Sequence, residues 1–143
     1  MIDLCDRARH AIDTYASQGV DALHSMHSDL SPIISHICFK FTDQDSYQLI
    51  SEQAAAFGIV TRETFNNKEI AWLCLDQPIK SSGFTVNWLE MVEPKENPHP
   101  ENDVAAIVYY TGNIPDVVKI PSDDDKITLR FQPRWVQPVI STK

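Results

Sequence analysis

Residues 34–41 read ISHICFKF, and at this stretch the chain changes from a helical to an extended hydrophobic period. Upstream of it, apolar residues recur at steps of three and four, the spacing of one helix face. Inside it they recur at every second position, the spacing of one strand face. The alternation sets three apolar side chains against three others: Ile37, Phe39 and Phe41 against His36, Cys38 and Lys40. The stretch therefore predicts a strand with one apolar and one more polar face.

Residues 1–30 predict a helical extension that packs on this strand. Their apolar stripe is interrupted at Gly19, which favours a break between two helices. A lone amphipathic helix is marginal in water, so the stripe needs a partner surface. The face of Ile37, Phe39 and Phe41 is the expected partner. The stripe consists of Ile2, Cys5, Ile12, Tyr15 and Leu23.

Residues 34–93 predict one strand, one helix and three further strands. Thr42 or Asp43 is expected to cap the helix, which runs through Ala56 and closes at Gly58 as a C-terminal glycine.

Two short strands, 58–64 and 69–75, flank a polar turn at 66–68 and are expected to form a hairpin. The longest strand is expected over 84–93. Because the strands cluster after one helix, the sheet is expected to be mixed or antiparallel and the fold class α+β.

Downstream, proline and charge dominate 94–102, which indicates a solvated loop. Further strands are expected over 103–111, 117–120 and 126–132. No internal repeat or linker divides the 143 residues, a length that suits one domain. The expected organisation is a single domain with three parts: the helical extension 1–30, a βαβββ module 34–93 and an abbreviated second module 103–135.

Charge and cysteine content narrow the function classes. The formal net charge is −8, and the 12 Lys and Arg residues are scattered. Such a chain repels phosphate backbones, which argues against nucleic acid and anionic membranes as partners. No apolar run approaches the roughly 20 residues of a membrane-spanning helix, and the first residues lack the pattern of a signal peptide. Three widely spaced cysteines without a CxxC motif indicate reduced thiols, so a cytoplasmic location is expected.

Four short motifs carry a family resemblance: SHICFKF at 35–41, WLEMVEP at 88–94, DVAAIVYY at 103–110 and KITLRFQPRW at 126–135. They resemble strands of the vicinal oxygen chelate superfamily, which includes glyoxalase I, methylmalonyl-CoA epimerase and extradiol dioxygenases. The last motif resembles the closing strand of the YecM-like branch, an uncharacterised bacterial group with a similar helical extension. The resemblance implies a βαβββ-type mixed sheet of the vicinal oxygen chelate kind with a shortened second half.

The resemblance also implies a divalent-metal site. Its ligands would be His36 on the first strand, Glu90 on the fourth, Asp103 on the fifth and Gln132 on the closing strand. Imidazole and carboxylate ligands suit Fe, Mn, Ni or Zn. The metal would act as a Lewis acid on two adjacent substrate oxygens, with Glu90 as the catalytic proton carrier. The implied function is a lyase, isomerase or oxygenase acting on a small oxygen-rich substrate.

A second interpretation uses the same face without a metal. His36, Lys40 and Arg130 are three possible donors that would hold the carboxylate or phosphate of a small ligand. The protein would then be a non-catalytic module that binds a small molecule or a protein partner. Alternatively, Glu90 simply forms an ion pair with Lys40 or Arg130. A second imidazole or carboxylate on the fifth strand, converging on His36, favours an enzyme, and an empty position favours a binding module.

The half-open sheet also predicts a homodimer. Proteins usually cover an unpaired sheet edge, and by family resemblance a second copy would complete the sheet. The alternative is a monomer sealed by the N-terminal helices and the proline-rich tail. Large amphipathic side chains are enriched at interfaces, and the candidates are Trp88, Tyr109, Tyr110 and Trp135.

Overall fold

The computed structural model describes residues 3–26 and 31–134, which form two α-helices and a seven-stranded sheet. The helices are α1 (Leu4–Met26) and α2 (Gln44–Gln53), and a 3-10 turn (Ala54–Ala56) follows α2. The strands are β1 (Ile33–Lys40), β2 (Gly58–Phe65), β3 (Lys68–Ser81), β4 (Phe84–Val92), β5 (Asp103–Tyr110), β6 (Val118–Pro121) and β7 (Thr128–Gln132). The predicted α+β class is confirmed. Neither helix in these ranges is long and apolar enough to cross a membrane.

The sheet is mixed, with the strand order β2-β3-β4-β1-β5-β7-β6. β1 lies at the centre, parallel to β4 and antiparallel to β5. β5 pairs parallel with β7, and β6 runs antiparallel to β7. A parallel pair needs a crossover connection, which α2 and the β2–β3 hairpin supply between β1 and β4. The predicted order of one strand, one helix and three strands is confirmed.

The predicted hairpin of β2 and β3 is also confirmed. The two strands pair as far as Phe65 and Lys68, so only two residues connect them. These are Asn66 and Asn67, with φ of 51° and 64°. A two-residue turn with both φ values positive matches the twist of antiparallel strands, and asparagine tolerates this conformation better than most residues.

The hydrophobic core lies on one face of the sheet, where both helices pack. α1 contacts β3 and β5, and α2 contacts β4. Leu4, Ile12 and Leu23 of α1 belong to one buried cluster with Ile37 and Phe39 of β1. The predicted packing of the N-terminal stripe on the sheet is therefore confirmed for α1, whose strand contacts are mainly with β3 and β5, whereas Ile2 lies outside the described residues.

Gly19 does not divide α1, contrary to the expected break. The helix runs through it, and Ala16, Gly19 and Leu23 are all buried on the same face. A Cβ atom at Gly19 would lie 2.5 Å from Cζ of Tyr109. The glycine therefore serves the close approach of α1 to β5, and the prediction of two helices is corrected to one.

The ends of α2 match the sequence predictions in part. Asp43 is the N-cap, because its carboxylate accepts a hydrogen bond of 2.7 Å from the backbone N–H of Ser46. Gly58, however, is the first residue of β2 and does not close the helix. A Cβ atom at Gly58 would collide with the carbonyl oxygen of Cys74 on β3. This glycine is thus explained by strand packing.

The candidate interface residues differ in exposure. Tyr109 is completely buried in the core of the single chain, whereas Trp88 and Tyr110 are half-buried. Trp135 lies outside the described residues. Burial within one chain gives Tyr109 a structural role that needs no second copy.

Candidate functional site

The candidate residues lie mainly on the face of the sheet that points away from α1 and α2, which we call the far face. Side chains directly opposite each other in paired strands lie on the same face. One row of the far face runs from β3 to β7: Trp72, Glu90, Cys38, Ala106 and Thr128. The adjacent row runs from β1 to β6: His36, Val108, Arg130 and Lys119. The buried members of both rows are absent from the core cluster under the helices.

His36 and Glu90 converge on this face, as the sequence predicts. The Nε2 atom of His36 lies 3.6 Å from Oε1 of Glu90, and the two side chains are 4% and 16% exposed. The other ring nitrogen, Nδ1, lies 3.0 Å from the hydroxyl of Ser35. Ser35 occupies a register shift between β1 and β5, and such irregularities re-aim side chains. The imidazole is therefore held between a hydroxyl and a carboxylate.

An aromatic wall flanks this pair. The rings of His36 and Trp72 meet edge to face with centroids 4.8 Å apart, and Trp72 meets Trp88 in the same way at 6.2 Å. The indole N–H of Trp72 donates a 3.0 Å hydrogen bond to Glu63. The sequence interpretation did not assign Trp72 to the site. The pairing of Trp72 with Glu90 could not be read from the β3–β4 turn, because a register shift between Cys74 and Ile79 lies between the turn and this pair.

Glu90 is a largely buried acidic residue of the far face, in contact with His36. Burial raises its pKa, but contact with His36, together with smaller effects of Cys38 and Arg130, lowers the pKa below its ordinary value. Glu90 is therefore ionised at neutral pH. Burial, and next the charge of Glu90, raise the pKa of the Cys38 thiol well above its ordinary value. Cys38 is thus a poor nucleophile, and it is a free thiol, as are Cys5 and Cys74.

Arg130 and Gln132 bind each other on β7. With its amide oxygen turned toward the guanidinium, Gln132 accepts hydrogen bonds of 2.6 Å from Nε and 2.9 Å from Nη2. Gln132 is buried and Arg130 is half-buried. The amide oxygen of Gln132 therefore binds Arg130 and does not join His36 and Glu90.

Asp103 and Lys40 lie away from the His36–Glu90 pair. The carboxylate of Asp103 accepts hydrogen bonds from Arg7 of α1, 3.0 Å from Nε and 2.6 Å from Nη2. Asp103 lines a cleft of about 370 Å³ beside α1. Lys40 lies opposite Asp103 at the end of β1 and is exposed. Neither side chain joins the candidate site.

The four predicted metal ligands are therefore not brought together. Within residues 3–26 and 31–134, no three His, Cys, Asp or Glu residues are grouped to hold a metal ion. His36 and Glu90 fit two positions, because ligands at 2.0–2.2 Å from a metal lie roughly 3–3.4 Å from each other, close to the observed 3.6 Å. Metal sites in proteins usually have three or four protein ligands, so this pair is an incomplete donor set.

Comparison with known proteins identifies a shared fold. No known protein family and no curated protein sequence matches the chain. A solved structure named "Structural Genomics, Protein EC4020" is similar to it, with a TM-score of 0.62 and 13% sequence identity. The match covers 94% of this chain and 92% of that chain. At this identity the likeness concerns the fold alone: nearly the whole α+β arrangement recurs in another protein.

Proposed function

We propose that this chain is a YecM-like member of the vicinal oxygen chelate superfamily and that it binds a small oxygen-rich molecule on the far face. The observation that carries the proposal is the convergence of His36 Nε2 and Glu90 Oε1 at 3.6 Å on a largely buried surface. The order β1, α2, β2, β3, β4, with β1 parallel to β4, supports the same assignment. Both features agree with the motifs at residues 35–41 and 88–94.

The His36–Glu90 pair has the chemistry of a proton-transfer site. The ionised carboxylate of Glu90 accepts a proton or a hydrogen bond. A neutral imidazole has one donor and one acceptor nitrogen. Its contact with Ser35 holds the ring so that Nε2 faces Glu90. A ligand hydroxyl or carbonyl oxygen beside the pair would meet a donor and an acceptor, and the wall of Trp72 and Trp88 would cover its apolar part.

The fifth strand favours binding without a resident metal. The residue opposite His36 on β5 is Val108, which has no side-chain donor or acceptor. A second imidazole or carboxylate at this position was the expected mark of a metal enzyme. The non-catalytic small-molecule module is therefore the first candidate.

A metal-dependent lyase, isomerase or oxygenase is the second candidate. The 3.6 Å separation of His36 and Glu90 favours it, because the distance exceeds a hydrogen bond and approaches that of two neighbouring metal ligands. In this candidate, substrate or water oxygens complete the donor set.

Nuclear magnetic resonance of labelled protein, made without a His tag, tests the proposal. Glycolate, pyruvate and propane-1,2-diol are the probes, and amide shifts are expected on β1, β4 and β5. His36→Ala and Glu90→Gln should abolish these shifts, whereas His10→Ala, an exposed change on α1, should preserve them. Shifts that persist unchanged in both site variants would overturn the proposal.

Elemental analysis of the same protein separates the two candidates. One equivalent of Fe, Mn, Ni or Zn that is lost in both His36→Ala and Glu90→Gln would favour the metal enzyme over the binding module. A metal content that is the same in the parent protein and in both variants would rule out the second candidate.

A further inference from the structure

Two cationic side chains face each other at the β6 end of the far face. Lys119 of β6 lies directly opposite Arg130 of β7 in the antiparallel pair. Opposite residues have Cβ atoms about 4.5–5.5 Å apart, and like charges in this position destabilise a sheet. Lys119 is exposed, so the repulsion is small, and an anion bound between the two cations would turn it into attraction.

Neither cation lies within ion-pair distance of a carboxylate in the described part of the chain. The ion pairs there are Arg7–Asp103, His36–Glu90, Arg62–Glu69 and Lys95–Glu93. The chain has 20 acidic and 12 basic residues, so carboxylates are plentiful. Arg130 is nevertheless half-buried with only the Gln132 amide as its hydrogen-bond partner among these residues. Glu90 senses the charge of Arg130, but its carboxylate is in contact with His36. A partly desolvated cation without a contacting carboxylate is costly.

The same row connects this pair to the candidate site. His36, Val108, Arg130 and Lys119 lie side by side across four strands. Neighbouring strands are about 4.8 Å apart, so the backbones of Arg130 and His36, two strands apart, are separated by about 10 Å across the sheet. The positive charge of Arg130 contributes to the low pKa of Glu90, so the two sites share one electrostatic field.

The guanidinium is oriented in advance. Gln132 accepts from Nε and Nη2, which fixes the plane of the group. A guanidinium has five N–H donors, so donors remain for a ligand. An oriented Arg beside a Lys is the arrangement that binds carboxylate or phosphate oxygens.

We propose that Lys119 and Arg130 form an oxyanion site that holds the carboxylate or phosphate group of the molecule bound on the far face. The inference rests on the proposed function, because it names the charged group of that ligand. The reactive oxygen atoms of the ligand would lie at His36 and Glu90, and its anionic end two strands away.

Gluconate and sorbitol test the inference as a matched pair, since they share a six-carbon skeleton with adjacent oxygens and differ in the carboxylate. Their length lets one end lie at His36 while the other end reaches toward the Arg130 side chain. Inorganic phosphate is the third probe. Titrations followed by amide shifts are run at constant ionic strength with sodium chloride, because salt screens exposed charges. We expect gluconate to bind about tenfold more tightly than sorbitol. Its shifts should extend from β1 to β6 and β7.

Arg130→Gln and Lys119→Gln should reduce gluconate binding to the level of sorbitol, whereas Lys80→Gln, an exposed change near the β3–β4 turn, should not. Equal binding of gluconate and sorbitol, unaffected by Arg130→Gln, would overturn the oxyanion site and leave the proposed function standing. Phosphate shifts on β6 and β7 without any probe effect near His36 would keep the oxyanion site and overturn the proposed function. Absence of both gluconate and phosphate shifts at Lys119 and Arg130 would refute the inference.

Discussion

The hydroxyl of Tyr109 on β5 donates a 2.7 Å hydrogen bond to the backbone carbonyl of Ala16 on α1. The ring is completely buried and stacks on Phe131 with centroids 4.9 Å apart. It therefore has no room to withdraw from Gly19, which lies beneath it on the helix. This contact fixes the distance between α1 and the sheet.

Gly19→Ala is expected to destabilise the protein by about 1–3 kcal/mol, because the new methyl group overpacks the contact with Tyr109. Alanine is the better helix former by about 1 kcal/mol. Helix propensity alone would therefore stabilise the variant, and a net loss of stability would come from the contact with Tyr109. Gly112→Ala is the control, since a Cβ atom there meets nothing within 4 Å. Urea unfolding measures both. Equal, near-neutral effects would contradict the close approach.

Asp103→Asn should lower stability by about 0.5–1 kcal/mol, because it removes the ion pair with Arg7, which is partly exposed. Arg7→Met should have a similar effect, and the double variant should lose less than the sum of the two. Probe binding on the far face should not change. If Asp103→Asn instead abolished binding there, Asp103 would belong to the ligand site after all.

Stability at acid pH should depend on Asp124. The Tyr15 hydroxyl donates to its carboxylate at 2.6 Å and, with further hydrogen bonds, lowers the pKa of Asp124 to about 2. A lowered carboxyl pKa stabilises the fold above the ordinary value of 3.8 and loses this contribution as the pH falls toward 2. In Tyr15→Phe and Asp124→Asn, the free energy of unfolding should therefore fall less steeply as the pH decreases from 3.8 to about 2. Urea midpoints across this range measure it, and Asp21→Asn on α1 is the control.

Glu90→Gln should destabilise the protein by about 1–3 kcal/mol at pH 7, because the contact of an ionised group with His36 is lost. The folded-state pKa of Glu90 is lowered, so its contribution is present above the ordinary value of 4.5 and disappears as the pH falls through the folded value. The difference between the variant and the parent should shrink below pH 4.5. Glu96→Gln, an exposed loop change, is the comparison. A difference independent of pH would show that Glu90 acts without its charge.

Lys119→Glu should raise stability by about 0.2–1 kcal/mol, because repulsion across β6 and β7 becomes attraction to Arg130. The gain should decrease in high salt. Thermal unfolding at two salt concentrations measures it. A loss of stability in low salt would mean that Lys119 supports the fold in another way.

The sequence predicted local structure well where one pattern dominated. Alternation identified β1, and the turn at Asn66 and Asn67 identified the β2–β3 hairpin. The two glycine predictions were wrong for one reason: Gly19 and Gly58 act in close contacts with Tyr109 and Cys74. Both partners are distant along the chain, so local sequence holds no sign of them.

The sequence predicted only part of the candidate site. His36 and Glu90 were placed together by two motifs, and the parallel register of β1 and β4 brings them together. Asp103 was assigned to the same site, but Arg7 of α1 binds it. The cross-strand neighbours Trp72 and Lys119 were not assigned at all, because pairing across the sheet depends on loop geometry and on register shifts such as the one between Cys74 and Ile79.

By itself, the sequence determined the α+β class, the order of elements and which side chains of each strand share a face, because hydrophobic period and turn residues act over a few neighbouring positions. Only the tertiary structure decided the strand order, the register and therefore the neighbours of each polar side chain. A carboxylate binds whichever cation the fold places within reach, and this is why Glu90 meets His36 whereas Asp103 meets Arg7. The opposition of Lys119 and Arg130 likewise exists only in the paired sheet.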